Sequence, residues 1–113
     1  FVILGNHRDA WTFGAVDPNS GNAALLEVAQ RLGELQKRGW QPRRTIILYC
    51  AIEMLRIMAL NDQQNGLKRT DREILASRAV AYLNVDNAVG GPGFHASATP
   101  QLEELIKRAT QKV

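Results

Sequence analysis

Four residues in this chain have types and spacing suited to chemistry: His7, Asp9, Asp17 and Asp86. His7 and Asp9 follow a short apolar run that ends at Gly5. Asp17 lies in the loop beyond them. Asp86 closes a second apolar run, "AYLNV". Open α/β sheets place their sites at the carboxyl ends of strands. Two strand ends and a loop therefore bring His7, Asp17 and Asp86 toward one another. One imidazole nitrogen with carboxylate oxygens suits zinc, which makes bound water nucleophilic near neutral pH. Plainer readings exist for the same residues. "HRD" reads equally as a polar turn, "DPNS" is a turn and cap signal, and an Asp after a strand is commonly a cap. Spacing alone leaves both readings open.

Other candidates carry less. His95 stands apart from this set and reads as a surface or satisfied histidine. "GGPG" (Gly90 to Gly93) lacks the helix and spacing of a phosphate loop. No Ser-His-Asp arrangement is visible. Cys50, the single cysteine, lies inside an apolar run with no activating base, so a buried inert thiol is expected.

The elements that must position these groups follow from patterning. Phe1 to Gly5 reads as a buried strand, and Asn6 to Asn19 as a long loop rich in Gly, Asp, Asn and Pro. Asn19 or Ser20 can cap a helix running to about Arg38, with Leu25, Val28, Ala29, Leu32 and Leu35 on one face. Lys37 and Arg38 suit its C-terminal dipole, and Gly39 its C-terminal cap. "TIILYC" (Thr45 to Cys50) and "AVAYLNV" (Ala79 to Val85) read as buried strands. Gly90 to Gly93 reads as a turn and Phe94 to Ala98 as a short strand. Thr99 caps a helix with Pro100 in its first position and Leu102, Leu105, Ile106 and Ala109 on one face. This alternation predicts an α/β layer: a mostly parallel sheet flanked by helices.

Composition excludes other classes. The chain has 113 residues, 45% hydrophobic and 22% charged, enough for one small domain. The net charge of +3 comes from scattered Lys and Arg, with Arg43 and Arg44 as the tightest pair. A nucleic-acid face needs a basic stripe, so no nucleic-acid partner is expected. No apolar stretch is long enough to span a bilayer. The chain opens mid-strand without Met and is read as a fragment of one domain, residues 1–113.

Two long stretches carry a resemblance. "FVILGNHRDAWTFGAVDPNSGNAALLEVAQRLGELQKRGWQPRRTIIL" is similar to the start of the peptidase domain of glutamate carboxypeptidase II and its plant relatives. "ASRAVAYLNVDNAVGGPGFHASATPQLEELIKRATQ" is similar to a later part of that domain. Together they cover about three quarters of the chain. The resemblance implies a partial zinc-exopeptidase domain of the α/β class, with two zinc ions and a peptide substrate cleaved at its C-terminal residue, often Glu. It implies that His7 is a zinc ligand, that Asp17 bridges the two ions and that Asp86 is a ligand. Asp9 then orients His7 from outside the ligand set. It also implies a protein that is often homodimeric and membrane-anchored, with its catalytic part lumenal or extracellular.

Between these stretches the chain departs from the family. After the "RTIIL" strand the family carries a motif resembling W-D-A-E-E-Y-G-L-I-G-S-T-E-W-V-E-E-N-R. Its first Glu is the general base and its second a zinc ligand. Here the chain has "AIEMLRIMALNDQQNGLKRTDREI" (Ala51 to Ile74), with no adjacent pair of carboxylates. Glu53 is the one carboxylate near the expected position, so no catalytic residue is assigned. Regrouping the possible codons of residues 53–72 in one constant offset yields D-A-E-D/N-Y-G-L-x-x-S-T-E-W-V-E/K-E-N-R. That string aligns with the family motif without a gap. Residues 51–72 are thus read as aberrant, from compensating frameshifts; an amphipathic helix that replaced the motif is the alternative. As written, the chain is expected to be inactive. A reading from another class is a catalytically dead remnant or a binding module of the transferrin-receptor-like kind.

Overall fold

A computed structural model describes residues 1–51, 74 and 77–112 of the chain. Apart from Ala51, the stretch 51–72 that the sequence reading takes as aberrant, Glu53 included, lies outside the described residues. The described elements run β1 (Val2–His7), α1 (Asn19–Lys37), β2 (Ile46–Ala51), β3 (Ala81–Asn84) and α2 (Pro100–Thr110). The three strands form one parallel sheet in the order β2-β1-β3. This is the α/β alternation expected from the patterning.

β1 is the central strand, and its register places the chemistry. Asn6 lies opposite Cys50 and His7 opposite Ala51 on one side. On the other, Gly5 lies opposite Asn84, where β3 ends. All three strands therefore finish on the same edge. One boundary differs from the sequence reading: β1 runs on through Asn6 and His7, which pair with β2 instead of opening the loop. Pairing overrides the weak strand preference of Asn and His at that edge.

α1 lies across the sheet and ends as expected. Gly39 has φ +92°. Its N–H donates to the Gln36 carbonyl at 3.0 Å, and the Trp40 N–H donates to the Leu35 carbonyl at 3.1 Å. That pair of bonds is the Schellman closure, which needs a left-handed residue just past the helix. The other end differs from expectation. Pro18 occupies the cap position with no side-chain cap bond, and neither Asn19 nor Ser20 caps the helix. The Ser20 hydroxyl instead bonds back to the Val16 carbonyl.

α2 begins as expected, with Thr99 in extended conformation before Pro100. Glu103 pairs with Lys107 at 3.0 Å and Glu104 with Arg108 at 2.8 Å, one turn apart. The helix has no buried residue. Phe94 to Ala98 is not a strand: it pairs with no strand among the described residues, and Phe94 is exposed. The strands expected to be buried are only partly so. Val2, Ile3 and Leu4 on the central strand are half-buried, and Leu48 and Leu83 are exposed. Runs apolar on both faces need a layer on each face, and among the described elements α1 covers one.

The tightest packing is where α1 meets the strand ends. A Cβ placed on Gly21 would collide with the Val85 carbonyl oxygen and would lie 2.7 Å from Asn6 Nδ2 and 2.8 Å from the Asp86 carbonyl oxygen. Gly33, three turns further on, has open space around it. The same substitution should therefore act oppositely at the two sites. Gly21→Ala is expected to destabilise the chain by about 1–3 kcal/mol through overpacking. Gly33→Ala is expected to stabilise it by about 0.5–1 kcal/mol through helix propensity. Urea unfolding of both variants checks this, and equal effects would contradict the close approach at Gly21.

Candidate metal centre

The site forms where the shared sheet edge meets the start of α1. His7 is the last residue of β1, Asp86 follows β3 by two residues, and Asp17 precedes α1 by two. His7 Nε2 lies 2.6 Å from Asp86 Oδ1 and 3.1 Å from Asp17 Oδ1. One donor atom from each of the three falls within 4.8 Å of the others. The fold thus brings together three side chains that are far apart in the chain. The peptide between Asp17 and Pro18 is cis.

The opposite edge of the imidazole is also engaged. His7 Nδ1 lies 2.9 Å from the Asp9 carbonyl oxygen and 3.3 Å from Asp9 Oδ1. In the metal-free chain Nε2–H donates to Asp86 Oδ1 at 2.6 Å. With the proton instead on Nδ1, donated to Asp9, Nε2 would be free to ligate an ion lying between the two carboxylates. This is the arrangement in which an outer carboxylate or carbonyl fixes the tautomer of a metal-ligating histidine. With His7 neutral, the set carries two negative charges and one nitrogen donor, a combination that divalent zinc accepts.

Beneath the site lies Asn6, 1% exposed. Its Nδ2 donates to the Pro18 carbonyl at 3.1 Å, and its Oδ1 accepts the His7 N–H at 2.8 Å. A buried amide must satisfy both ends. Here one end fixes the His7 backbone and the other fixes the residue after Asp17. Sequence patterning assigned Asn6 to a loop. The available signal was a polar amide set between Gly5 and His7 at the end of an apolar run.

Electrostatics separate His7 from its neighbours. Burial alone would lower its pKa; the hydrogen bond and charge of Asp86, with hydrogen bonds to Asp9, outweigh that and raise it above 6.5. Tyr82 on β3 is pushed up to about 12, first by burial and then by the charges of Asp86 and Cys50. It stays a neutral phenol at physiological pH. Cys50 corrects an expectation: its thiol is exposed, on the edge strand β2, with Sγ 3.7 Å from Asn22 Oδ1. His95 is exposed and lines an open cleft of about 820 Å³ between the β3 end and α2, which Asp86 also lines.

Three relatives place the chain. It is 66% identical over 113 residues to the probable glutamate carboxypeptidase LAMP1 of Arabidopsis thaliana, covering 100% of this chain and 16% of that protein. It is 53% identical over 113 residues to the probable glutamate carboxypeptidase VP8 of Zea mays, covering 100% of this chain and 15% of that protein. It is 42% identical over 117 residues to the aminopeptidase NAALADL1 of Mus musculus, again covering 100% of this chain and 15% of that protein. The chain thus spans about a sixth of the length of the curated relatives it matches. No protein-family model matches it.

The raised His7 pKa has a sign that can be tested on metal-free protein. A histidine whose folded pKa exceeds its unfolded value binds its proton more tightly when folded. Its stabilising contribution is complete below about pH 6.5, the unfolded value, and is lost as pH rises through the raised folded value. Thermal unfolding in chelator should therefore show wild type losing stability relative to His7→Gln across the neutral range. A difference that is flat with pH would contradict the coupling of His7 to Asp86.

Proposed function

From a chain that belongs by sequence to the glutamate carboxypeptidase type of peptidase, we propose that His7, Asp17 and Asp86 are ligands of a zinc centre. The observation that carries this is the His7 ring, with Nε2 set between two carboxylates and Nδ1 held by Asp9. The donors fit the ion: one imidazole nitrogen and carboxylate oxygens from three separate segments, with their charge uncompensated by any Lys or Arg ion pair among the described residues. When bound, zinc supplies Lewis acidity to a carbonyl oxygen and makes water more acidic. The chain's own residues do the rest. Asp17 and Asp86 offset the cation's charge, Asp9 holds the proton on Nδ1, and Tyr82 remains protonated. The whole protein, on this reading, removes C-terminal residues, often Glu, from peptides, pairs with a second copy, and sits membrane-anchored with this domain lumenal or extracellular.

The chain as written lacks the family's general base and one glutamate ligand. Loss of a general base alone costs about 10²- to 10⁴-fold in rate, and Glu53, the one carboxylate near the expected position, would have to meet a catalytic geometry that tolerates little misplacement. The 113-residue product is therefore read as inactive. The deficit is best explained by compensating frameshifts across residues 51–72. Two facts support this: the hidden frame has the length of the missing motif, and the alignments to relatives run across 100% of the chain, so they continue on both sides of the segment. β2 also ends at Ala51, opposite His7, so the chain enters this stretch at the edge of the site.

Two measurements test these readings separately. In zinc titration, wild type should bind, and His7→Ala or Asp17→Ala should weaken binding by more than the about 10- to 100-fold typical of outer-shell losses. Absence of binding would favour a remnant without a metal site. For the frame, sequencing the transcript should show Ile57 as ATT, Asn65 as AAT, and Arg56 and Arg69 as AGA or AGG. Other codons at these positions cannot be regrouped into the motif. With zinc present, the purified chain should release no glutamate from an acidic dipeptide; measurable release would overturn the inactive reading.

A further inference from the structure

We infer that Ser20 and Asn22 are positioning residues for a metal ion held by His7, Asp17 and Asp86, an inference that rests on the metal-site reading above. Both belong to the first turn of α1, and each reaches a different segment that carries a ligand. Asn22 Nδ2 donates to the carbonyl oxygen of His7 at 2.9 Å. Its Oδ1 lies 3.7 Å from Cys50 Sγ, so this amide bridges the ends of β1 and β2. Ser20 Oγ donates to the carbonyl of Val16, the residue before Asp17. It also accepts the N–H of Ala88 at 3.0 Å, two residues past Asp86. One hydroxyl thus ties together the two segments that carry the carboxylates.

These bonds matter more to the site than to the fold. Asp17 and Asp86 lie outside the helices and strands, so no ladder of backbone bonds sets their separation. Ligand positions must hold within about 0.5 Å for a metal to be bound well. The bonds of Ser20 are at the surface and that of Asn22 is part-buried. Each hydrogen bond of this kind is a small net contribution to folding. Between them lies Gly21, whose contact with the Val85 and Asp86 carbonyls fixes how closely the helix approaches but not how the two loops are turned.

Cobalt(II) binding to the full 113-residue chain reads this directly, because cobalt absorption reports ligand geometry as well as affinity. Ser20→Ala and Asn22→Ala should each weaken cobalt binding by about 10- to 100-fold. Both should alter the visible band at saturation while the helical circular dichroism of metal-free protein is retained. Ser20→Thr keeps the hydroxyl and should restore wild-type affinity and band. Wild-type affinity and spectrum in both alanine variants, with binding lost in His7→Ala, would overturn this inference and leave the metal site standing. No cobalt uptake by wild type would overturn both. If Ser20→Ala loses its helix signal, Asn22→Ala and Ser20→Thr decide the matter by the same criteria.

Discussion

The close approach of the α1 first turn to the strand ends is the constraint on which the rest of the structure depends. Gly21 leaves no room for a Cβ against the Val85 and Asp86 carbonyls. A side chain there would lift the helix from the sheet edge. Asp17 precedes the helix by two residues, so it would move with it. Asp86 lies on the other side of the same contact. Asn6, buried beneath, joins the end of β1 to the residue after Asp17 by bonding both the His7 amide and the Pro18 carbonyl. Backbone packing and one satisfied buried amide thus set how closely the helix start approaches the strand ends that carry the three donors.

That packing assembles a charge distribution that asks for a cation. Two carboxylates face one ring nitrogen from different segments. Without a metal, a proton on His7 is the nearest offset, and the raised pKa records that demand. A divalent ion satisfies it more fully, since it interacts with both carboxylates and the neutral imidazole at once. Asp9 favours that second state by holding the proton on Nδ1. The surface pairs along α2 contrast with this: they are exposed, one turn apart, and contribute little beyond local helix support.

Much of this was legible in the sequence, and the exceptions have physical reasons. The strand–helix alternation and the apolar runs announced the parallel sheet. Residue types at strand ends and in the "DPNS" loop pointed to the convergence of His7, Asp17 and Asp86, which the fold brings together. Gly39 was read correctly because its role is local: it closes the helix it follows. Gly21 looked like any helical glycine beside Gly33, because its role lies in contacts with residues more than sixty positions away. Asn6 and His7 were assigned to a loop since their strand pairing comes from β2. Phe94 to Ala98 had strand-like residues but no partner, and Cys50 had an apolar neighbourhood in sequence but an edge position in space. The expectation of zinc and of a peptide substrate comes from the resemblance; spacing alone favours the turn and cap readings over a metal.

Residues 51–72 are where the flanking similarity and the chain's own chemistry diverge. The described site supplies three donors, and the missing motif would supply a fourth ligand and the base. We propose that these three residues hold zinc as this chain is written. X-ray absorption at the zinc K edge on the loaded chain tests it most directly. The expected spectrum has a shell of nitrogen and oxygen at about 2.0–2.2 Å with the outer scattering of one imidazole. A sulfur shell near 2.3 Å, which would implicate Cys50, or a spectrum without imidazole scattering would contradict it.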